Sequence, residues 1–559
     1  MIARFTRVAL VAVLLTAVAH PAAAQRALGI GDDASTLPAG MLRFTAGSLW
    51  DRANERYDAD GKLRALGASA STPAWNGLYD TRLMLAAPLV KSLGGVSSFD
   101  ASLGSLAIGR RDASSDGLFG IDLGLLKRLT VGARVRVASH GIEPNVALNP
   151  RLIEGTMGLN PAWTNTVAAD RNAVIVAQFD SAVVQTTRRI AQCQAAPGGT
   201  GCTAITANVA AAQTIVANAA SFATAMNALY GGRKNAAGLP FVPVSNSSAQ
   251  KAIDQRVLGF RDQFVALGNS AIGTQGPTGG ALFSAADITT LLTDSLYGYY
   301  LRPLRTVHAY GLGEISVHLK ARLFQTTGDD SSTIHGFAVR QSAGVTLRLN
   351  GGSTPQADEP FAPVTGDDGK GFTVQSFTDL FYGSRYSATV VVNFAQSQAQ
   401  QYTMRLPTFE APSVGGVPFP LLSADREATI TRTPGSRIDI AVTPRVAMTP
   451  NIWLGASWMM SQQAADAWTN AAFVTTPTGV AAGPISAAEH WAAATDWTEQ
   501  RLSLGGTYST VNAAHAGKTK RAFDVTYEHQ QTLSGSGWRV SHLSRDVVSV
   551  RWYPRAWGR

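Results

Sequence analysis

The stretch 312–324 reads LGEISVHLKARLF, and its pattern decides the fold. Side chains of an extended chain point alternately to opposite faces. Ile315, Val317, Leu319, Ala321 and Leu323 therefore fall on one face, and Glu314, Ser316, His318, Lys320 and Arg322 on the other. A helix would scatter the two sets around its axis, so the period of two predicts a strand with one apolar and one polar face.

The same alternation recurs elsewhere. In 437–448, Ile438, Ile440, Val442, Pro444, Val446 and Met448 oppose Arg437, Asp439, Ala441, Thr443, Arg445 and Ala447. In 501–510, Leu502, Leu504 and Tyr508 oppose Arg501, Ser503, Thr507 and Ser509. Further strands are predicted at 41–50, 78–89, 99–109, 117–126, 129–139, 335–349, 372–383, 386–396, 451–461, 521–531 and 540–553, about 14 in all. Each is roughly ten residues long, the length of a tilted strand crossing a bilayer. Short links at Lys127-Arg128, Gly383-Ser384-Arg385 and Thr449-Pro450 alternate with long segments at 51–77, 140–305, 350–371, 397–436 and 462–498. That asymmetry is the one expected of short periplasmic turns and long external loops. A soluble β-sandwich would also alternate in polarity but does not require the loop asymmetry.

Composition narrows the class. The 559 residues are 45% hydrophobic and 15% charged, with a mean hydropathy of +0.03, which excludes overall disorder. No uninterrupted apolar run of about 20 residues occurs, so a helical membrane protein is not predicted. The net charge of +9 is spread as single arginines rather than blocks, which does not point to nucleic acid. Arg4 and Arg7 precede an apolar run from Val8 to Ala19 and the small residues Ala22-Ala23-Ala24, so residues 1–24 read as a secretory signal peptide.

The predicted organisation follows. Residues 25–40 form an N-terminal periplasmic or plug segment, 41–139 hold barrel strands 1–5, 140–305 form an inserted α-helical subdomain, and 306–559 hold strands 6–14. Within the insert the period shifts to 3.6. Ile253, Val257, Phe260, Phe264 and Leu267 form one stripe; Ile205, Val209, Ala212 and Val216 form another. Ser284 and Asp287 resemble a capping box, and 163–192 is a further helix candidate. The insert reads as a gate or plug, or as a surface cap with no transport role. Cys193 and Cys202 flank Pro197-Gly198-Gly199; an oxidising compartment favours a disulfide between them, the other reading being two free thiols.

Trp50, Trp75, Tyr79, Tyr382, Tyr386, Trp453, Trp458, Trp497, Tyr508, Tyr527, Trp552 and Tyr553 lie near strand ends or on apolar faces, where rings suit the headgroup layer. The polar faces carry Arg134, Arg136, Lys320, Arg322, Arg340, Arg348, Arg437, Arg445 and Arg501, with His318, against the acids Asp122, Glu314, Asp439, Asp524 and Glu528. A charge facing lipid at mid-bilayer costs roughly 2 to 4 kcal/mol, so these residues are placed in the lumen. Two outcomes are open: a net positive pore favouring anions, or ladders of Arg and acid that fill the barrel.

Catalytic signatures do not appear. The nine histidines show no HExxH spacing, and Gly-x-Ser-x-Gly, phosphate-loop and dinucleotide patterns are missing. Asp32-Asp33, Asp329-Asp330 and Asp367-Asp368 read as solvated turns rather than calcium sites. No cofactor or metal is called for.

With the signal peptide, the strand count and Tyr310-Gly311-Leu312-Gly313-Glu314-Ile315-Ser316-Val317, which looks like a Gly-x-Gly-acidic strand opening, the chain resembles the FadL-like superfamily of outer-membrane transporters. The resemblance implies a barrel that takes up long-chain fatty acids or aromatic hydrocarbons, with an N-terminal hatch drawn from Gln25 to Gly40. The large helical insert departs from that pattern. The reading is thus an all-β transmembrane barrel in the outer membrane, in contact with lipid and a small-molecule solute, acting as a channel or uptake protein. The rivals are a structural or surface-interaction barrel without transport, and a hydrolase that assembles Ser and His from separate strands.

Overall fold

The computed structural model describes residues 31–556 apart from 151–153, 233–237, 327–335, 350–355, 364, 366–368, 407–420, 474–494, 512–513 and 515–520. The export segment read at 1–24, and the histidines at 20, 335, 490 and 515, lie outside the described residues.

Twelve antiparallel strands close into one barrel: β1 (Leu42–Ala53), β2 (Leu106–Leu126), β3 (Leu129–Leu148), β4 (Val307–Gln325), β5 (Phe337–Leu349), β6 (Gly371–Tyr382), β7 (Tyr386–Ser397), β8 (Arg437–Ala447), β9 (Ile452–Gln463), β10 (Trp497–Ser509), β11 (Phe523–Ser536) and β12 (Ser544–Trp552). Each pairs with its neighbour in sequence, and β1 closes on β12 with Phe44 opposite Trp552. Closure leaves no unpaired edge, the condition for placing strands in hydrocarbon.

The strand count of about 14 is corrected to 12 by two local causes. The segment at 117–126 and the end of that at 99–109 belong to one strand, β2, which starts at Leu106 and runs unbroken through the polar Arg110-Arg111-Asp112. At 21 residues β2 outruns an apolar band about 25 Å tall, and beyond that band its outer face has no reason to be apolar. The segment at 78–89 is helical. It lies in α1 (Thr81–Gly94), where the Asp80 carboxylate accepts the Arg82 amide as an N-cap. Leu83, Ala86, Val90 and Leu93 of α1 are buried at helical spacing.

The barrel is inside-out relative to a soluble protein. Val317, Leu319, Val345, Val374, Val392, Phe394, Ile438, Leu454 and Leu504 are exposed, while Ser342, Asp379, Thr389, Thr443, Arg445, Thr507 and Asp524 are buried. A soluble β-sandwich would bury the first set, so the outer surface is matched to lipid. Tyr382, Tyr386, Tyr508 and Tyr527 stay exposed on it. Trp75 and Tyr79 do not: they precede α1 and lie buried in the core of the insert. Trp453, on the inward parity of β9, and Tyr553, just past the end of β12, are also buried.

The connections between β1 and β2 and between β3 and β4 carry the helices: α1, then α2 (Thr166–Ala195), α3 (Thr203–Ala207), α4 (Val209–Tyr230), α5 (Ser248–Ala266) and α6 (Ala285–Thr293). Phe179, Phe222 and Phe260 from α2, α4 and α5 meet with centroids 5.1–5.7 Å apart. This core continues into Leu106 and Ile108 of β2 and Ile142 of β3, which fixes the insert to the long-loop end of the barrel. α4 is long and apolar enough to cross a membrane, but it packs against α2 within this core. Ser284 and Asp287 form a reciprocal capping box, and Cys193 and Cys202 are joined by a disulfide with Cα atoms 5.3 Å apart. A separate three-stranded sheet (Gln400–Arg405, Glu427–Thr433, Ala467–Phe473) is built from the long connections that follow β7 and β9.

Candidate lumenal site

The inward-facing residues converge on a segment of the chain itself. Residues 32–37 contact six consecutive strands from the inside. The Leu37 amide donates to Thr130 Oγ1 on β3 at 2.7 Å, and Lys320 Nζ on β4 reaches Asp32 Oδ1 at 3.2 Å and the Asp33 carbonyl. Ser342 on β5 donates to the Ala34 carbonyl, and the Ala34 amide donates to Asp379 Oδ2 on β6 at 3.0 Å. Ala34 packs with Phe377 and Val391 of β6 and β7, and Arg445 Nη2 on β8 donates to the Asp32 carbonyl at 3.2 Å. Only a segment lying in the lumen can touch this ring of inward faces. Asp32 is exposed and Asp33 accepts the Ser35 amide at 2.8 Å, as in a turn, but Asp33 is buried, so the solvated reading is corrected for that residue, and Asp32 also meets a lumenal cation, Lys320.

Most lumenal arginines are paired. Arg340 on β5 donates to Asp379 Oδ2 from Nε at 2.8 Å and from Nη2 at 2.6 Å. Arg437 meets Asp439 at 3.1 Å, Arg501 meets Glu499 at 2.8 Å, and Arg136 Nε meets Asp116 at 2.8 Å. Arg348 donates to Ser397 Oγ at 2.7 Å, and Arg445 to Thr389 Oγ1 at 2.6 Å. Arg322 donates to Gln325 and to the Lys127 carbonyl beside the shortest turn. Glu314 is half-buried on β4. His318 Nε2 lies 2.6 Å from Asp122 Oδ1, whose other oxygen accepts Arg43 Nε at 2.7 Å.

Of the two arrangements open from the sequence, these pairings are those of Arg and carboxylate filling the barrel wall. Asp379, Thr389, Ser342 and Arg43 hold the site and were not singled out from sequence. Their inward parity was readable, but which residue stands opposite which depends on strand register.

Between the segment and the wall lies a cavity of about 40 Å³. Arg43, Arg134, Lys320, Thr130, Thr346 and Gln375 line it from the wall, and Asp32 and Ser35 from the segment. Lys320 Nζ sits 3.8 Å from the Phe377 ring centroid. Among the described residues, no cluster of His, Cys, Asp or Glu could hold a metal ion.

A closed barrel with an apolar exterior, a polar interior and its own N-terminal segment in the lumen is an outer-membrane barrel. No protein-family model matches the sequence, and no curated protein matches it. Among solved structures it is similar to an outer membrane channel from Pseudomonas putida F1, at 7% identity over 94% of this chain and 98% of that one, with a TM-score of 0.37. It is also similar to the CymD monoaromatic hydrocarbon channel, at 8% identity over 93% and 89% of the two chains and a TM-score of 0.26. A FadL homologue from Pseudomonas aeruginosa aligns at 8% identity over 97% and 99%, with a TM-score of 0.25.

Proposed function

We propose that this chain is a passive outer-membrane channel or uptake protein of FadL-like type for small molecules, hydrophobic or carboxylate-bearing, closed in this state by residues 32–37. The observation that carries the reading is the way the segment is held. Its described bonds to the wall run to side chains of Thr130, Lys320, Ser342, Asp379 and Arg445 rather than to a strand ladder. The twelve-strand ladder is complete without it, so the segment can leave while the barrel persists. Charge-assisted hydrogen bonds, each contributing about 1.5 to 3 kcal/mol, give a seat that is stable yet reversible.

Purified protein in liposomes should pass small solutes, tested with a panel of neutral, anionic and apolar compounds. A variant lacking residues 32–37 should pass them faster. Ester hydrolysis without flux would replace this reading by the barrel-borne hydrolase. No flux and no hydrolysis, with the segment deleted and the barrel intact, would replace it by a structural or surface-interaction barrel.

A further inference from the structure

We infer that the cavity beside the N-terminal segment is a binding site for a compact hydrophilic oxyanion of the phosphate or sulfate type, and that the anion competes with Asp32 for Lys320. The arrangement of charge points that way. Arg43, Arg134 and Lys320 bring three cations to the cavity, with Asp32 on its rim, Asp122 on the wall and Asp33 on the segment close by. Arg134 is the one of the three cations with no ion pair among the described residues. Its neighbours across the strands are Gly120 and Ser316, neither of them acidic, and its guanidinium has no hydrogen bond among the described residues although it keeps accessible surface. Arg43 is committed to Asp122 at 2.7 Å, and Lys320 is shared with Asp32 at 3.2 Å.

The chemistry of the walls selects the guest. Guanidinium and ammonium groups supply charged donors to a tetrahedral or planar oxyanion, while Thr346 and Gln375, bonded to each other at 3.1 Å, make the adjoining wall polar. About 40 Å³ admits a compact polar group and not a hydrocarbon chain. The lumen faces no lipid, so a free anion and not a lipid headgroup is the source. An anion held by Arg134 and Lys320 offers Lys320 the same kind of partner that Asp32 offers, so occupancy frees one of the side chains that seat the segment. The binding step stands on the cavity alone; its consequence for opening rests on the channel reading.

Inorganic phosphate titrated into the purified full-length protein in detergent tests the site by calorimetry, with heat-modifiable gel migration as the folding control. Arg134→Gln should weaken phosphate binding at least about 10-fold, the loss expected for one charge-assisted contact. Arg134→Lys should retain part of the affinity, and Asp32→Asn should tighten it because Lys320 loses its competitor. Equal affinity in wild type and folded Arg134→Gln would overturn the site, and an Asp32→Asn protein that binds no tighter would overturn the competition. Phosphate binding with no solute flux in liposomes would keep the site and remove the channel reading; flux with no phosphate binding would do the reverse.

Discussion

Arg340 and Asp379 stand directly opposite each other on β5 and β6, and the carboxylate oxygen that receives both Arg340 nitrogens also accepts the amide of Ala34. Wall and segment are thereby joined at one atom. Both side chains are almost fully buried, at 3% and 0% exposure. Removing one partner of a buried pair leaves an uncompensated charge and costs about 3–5 kcal/mol. Asp379→Ala should therefore lower the temperature at which the barrel unfolds on gels and raise the frequency of opening events in planar bilayers. A variant as heat-resistant and as silent as wild type would show that Asp379 does not seat the segment.

The lipid-facing side gives a prediction that depends on depth. Tyr386 and Val392 share the outward face of β7, and six residues of tilted strand separate them by about 15 Å. Val392→Arg should cost roughly 2–4 kcal/mol, and Tyr386→Arg, near the short-turn end, no more than about 1 kcal/mol. Urea unfolding in vesicles measures both. Equal costs would mean that the apolar band does not span the height assigned to it.

How far the sequence revealed this arrangement is shown by residues that behaved differently. The faces of 315–322 were readable because period two needs no partner, and His318 and Lys320 do point inward; at the two ends bulges shift the alternation, so Leu312 and Phe324 are exposed despite sharing their parity. Asp80 and the spacing of Leu83, Ala86, Val90 and Leu93 also carried a helix signal, but an apolar segment of that length is ambiguous between helix and strand. The partnership of Arg340 with Asp379 was not readable: a slip of register would pair other residues, and pattern alone does not set register. The seat of residues 32–37 was hidden for a different reason. The segment has no periodicity, and its bonds run to strands hundreds of residues away.

The disulfide belongs to the insert alone, so its effect should be local. Cys193 ends α2 and Cys202 precedes α3, and both pack with Ile190, Ile205 and Leu267. Replacing both cysteines by serine should destabilise this end of the insert by about 2–3 kcal/mol. Limited proteolysis should then cut near 196–201 sooner, while the heat-modifiable migration of the barrel stays unchanged. A change in barrel migration would show that the two parts unfold together.

Acid should loosen the insert through Asp80. Burial would raise this carboxyl, but Arg82, donating at 2.6 and 2.9 Å, and the Tyr299 hydroxyl at 2.7 Å hold it below the ordinary carboxylate range. A carboxyl depressed on folding contributes stability that is fully present above the unfolded value of about 3.9 and is lost as pH falls through the folded value. Trp75 lies edge-on to Tyr299 with centroids 6.2 Å apart, so its fluorescence reports the site. The signal should stay constant from neutral pH to about 4.5 and change below it, and Asp80→Asn should remove the acid dependence while lowering stability at neutral pH. An unchanged acid profile in the variant would place the titration elsewhere.

Selectivity follows from which charges travel with the segment. Arg340, Arg437 and Arg501 keep carboxylate partners on the wall whether or not the segment is seated. Lys320 is different: its carboxylate partner, Asp32, sits on the segment, and Arg134 beside it is screened by that carboxylate. Asp32→Asn with Asp33→Asn removes two negative charges from the lumen and leaves the wall untouched. Fixed positive charge in a pore favours anions. Reversal potentials in a KCl gradient should thus move toward chloride in the double variant, and adding Arg134→Gln with Lys320→Gln should move them back. A double variant with the wild-type reversal potential would mean that permeating ions do not pass this cavity, and that the conducting path lies along another part of the lumen.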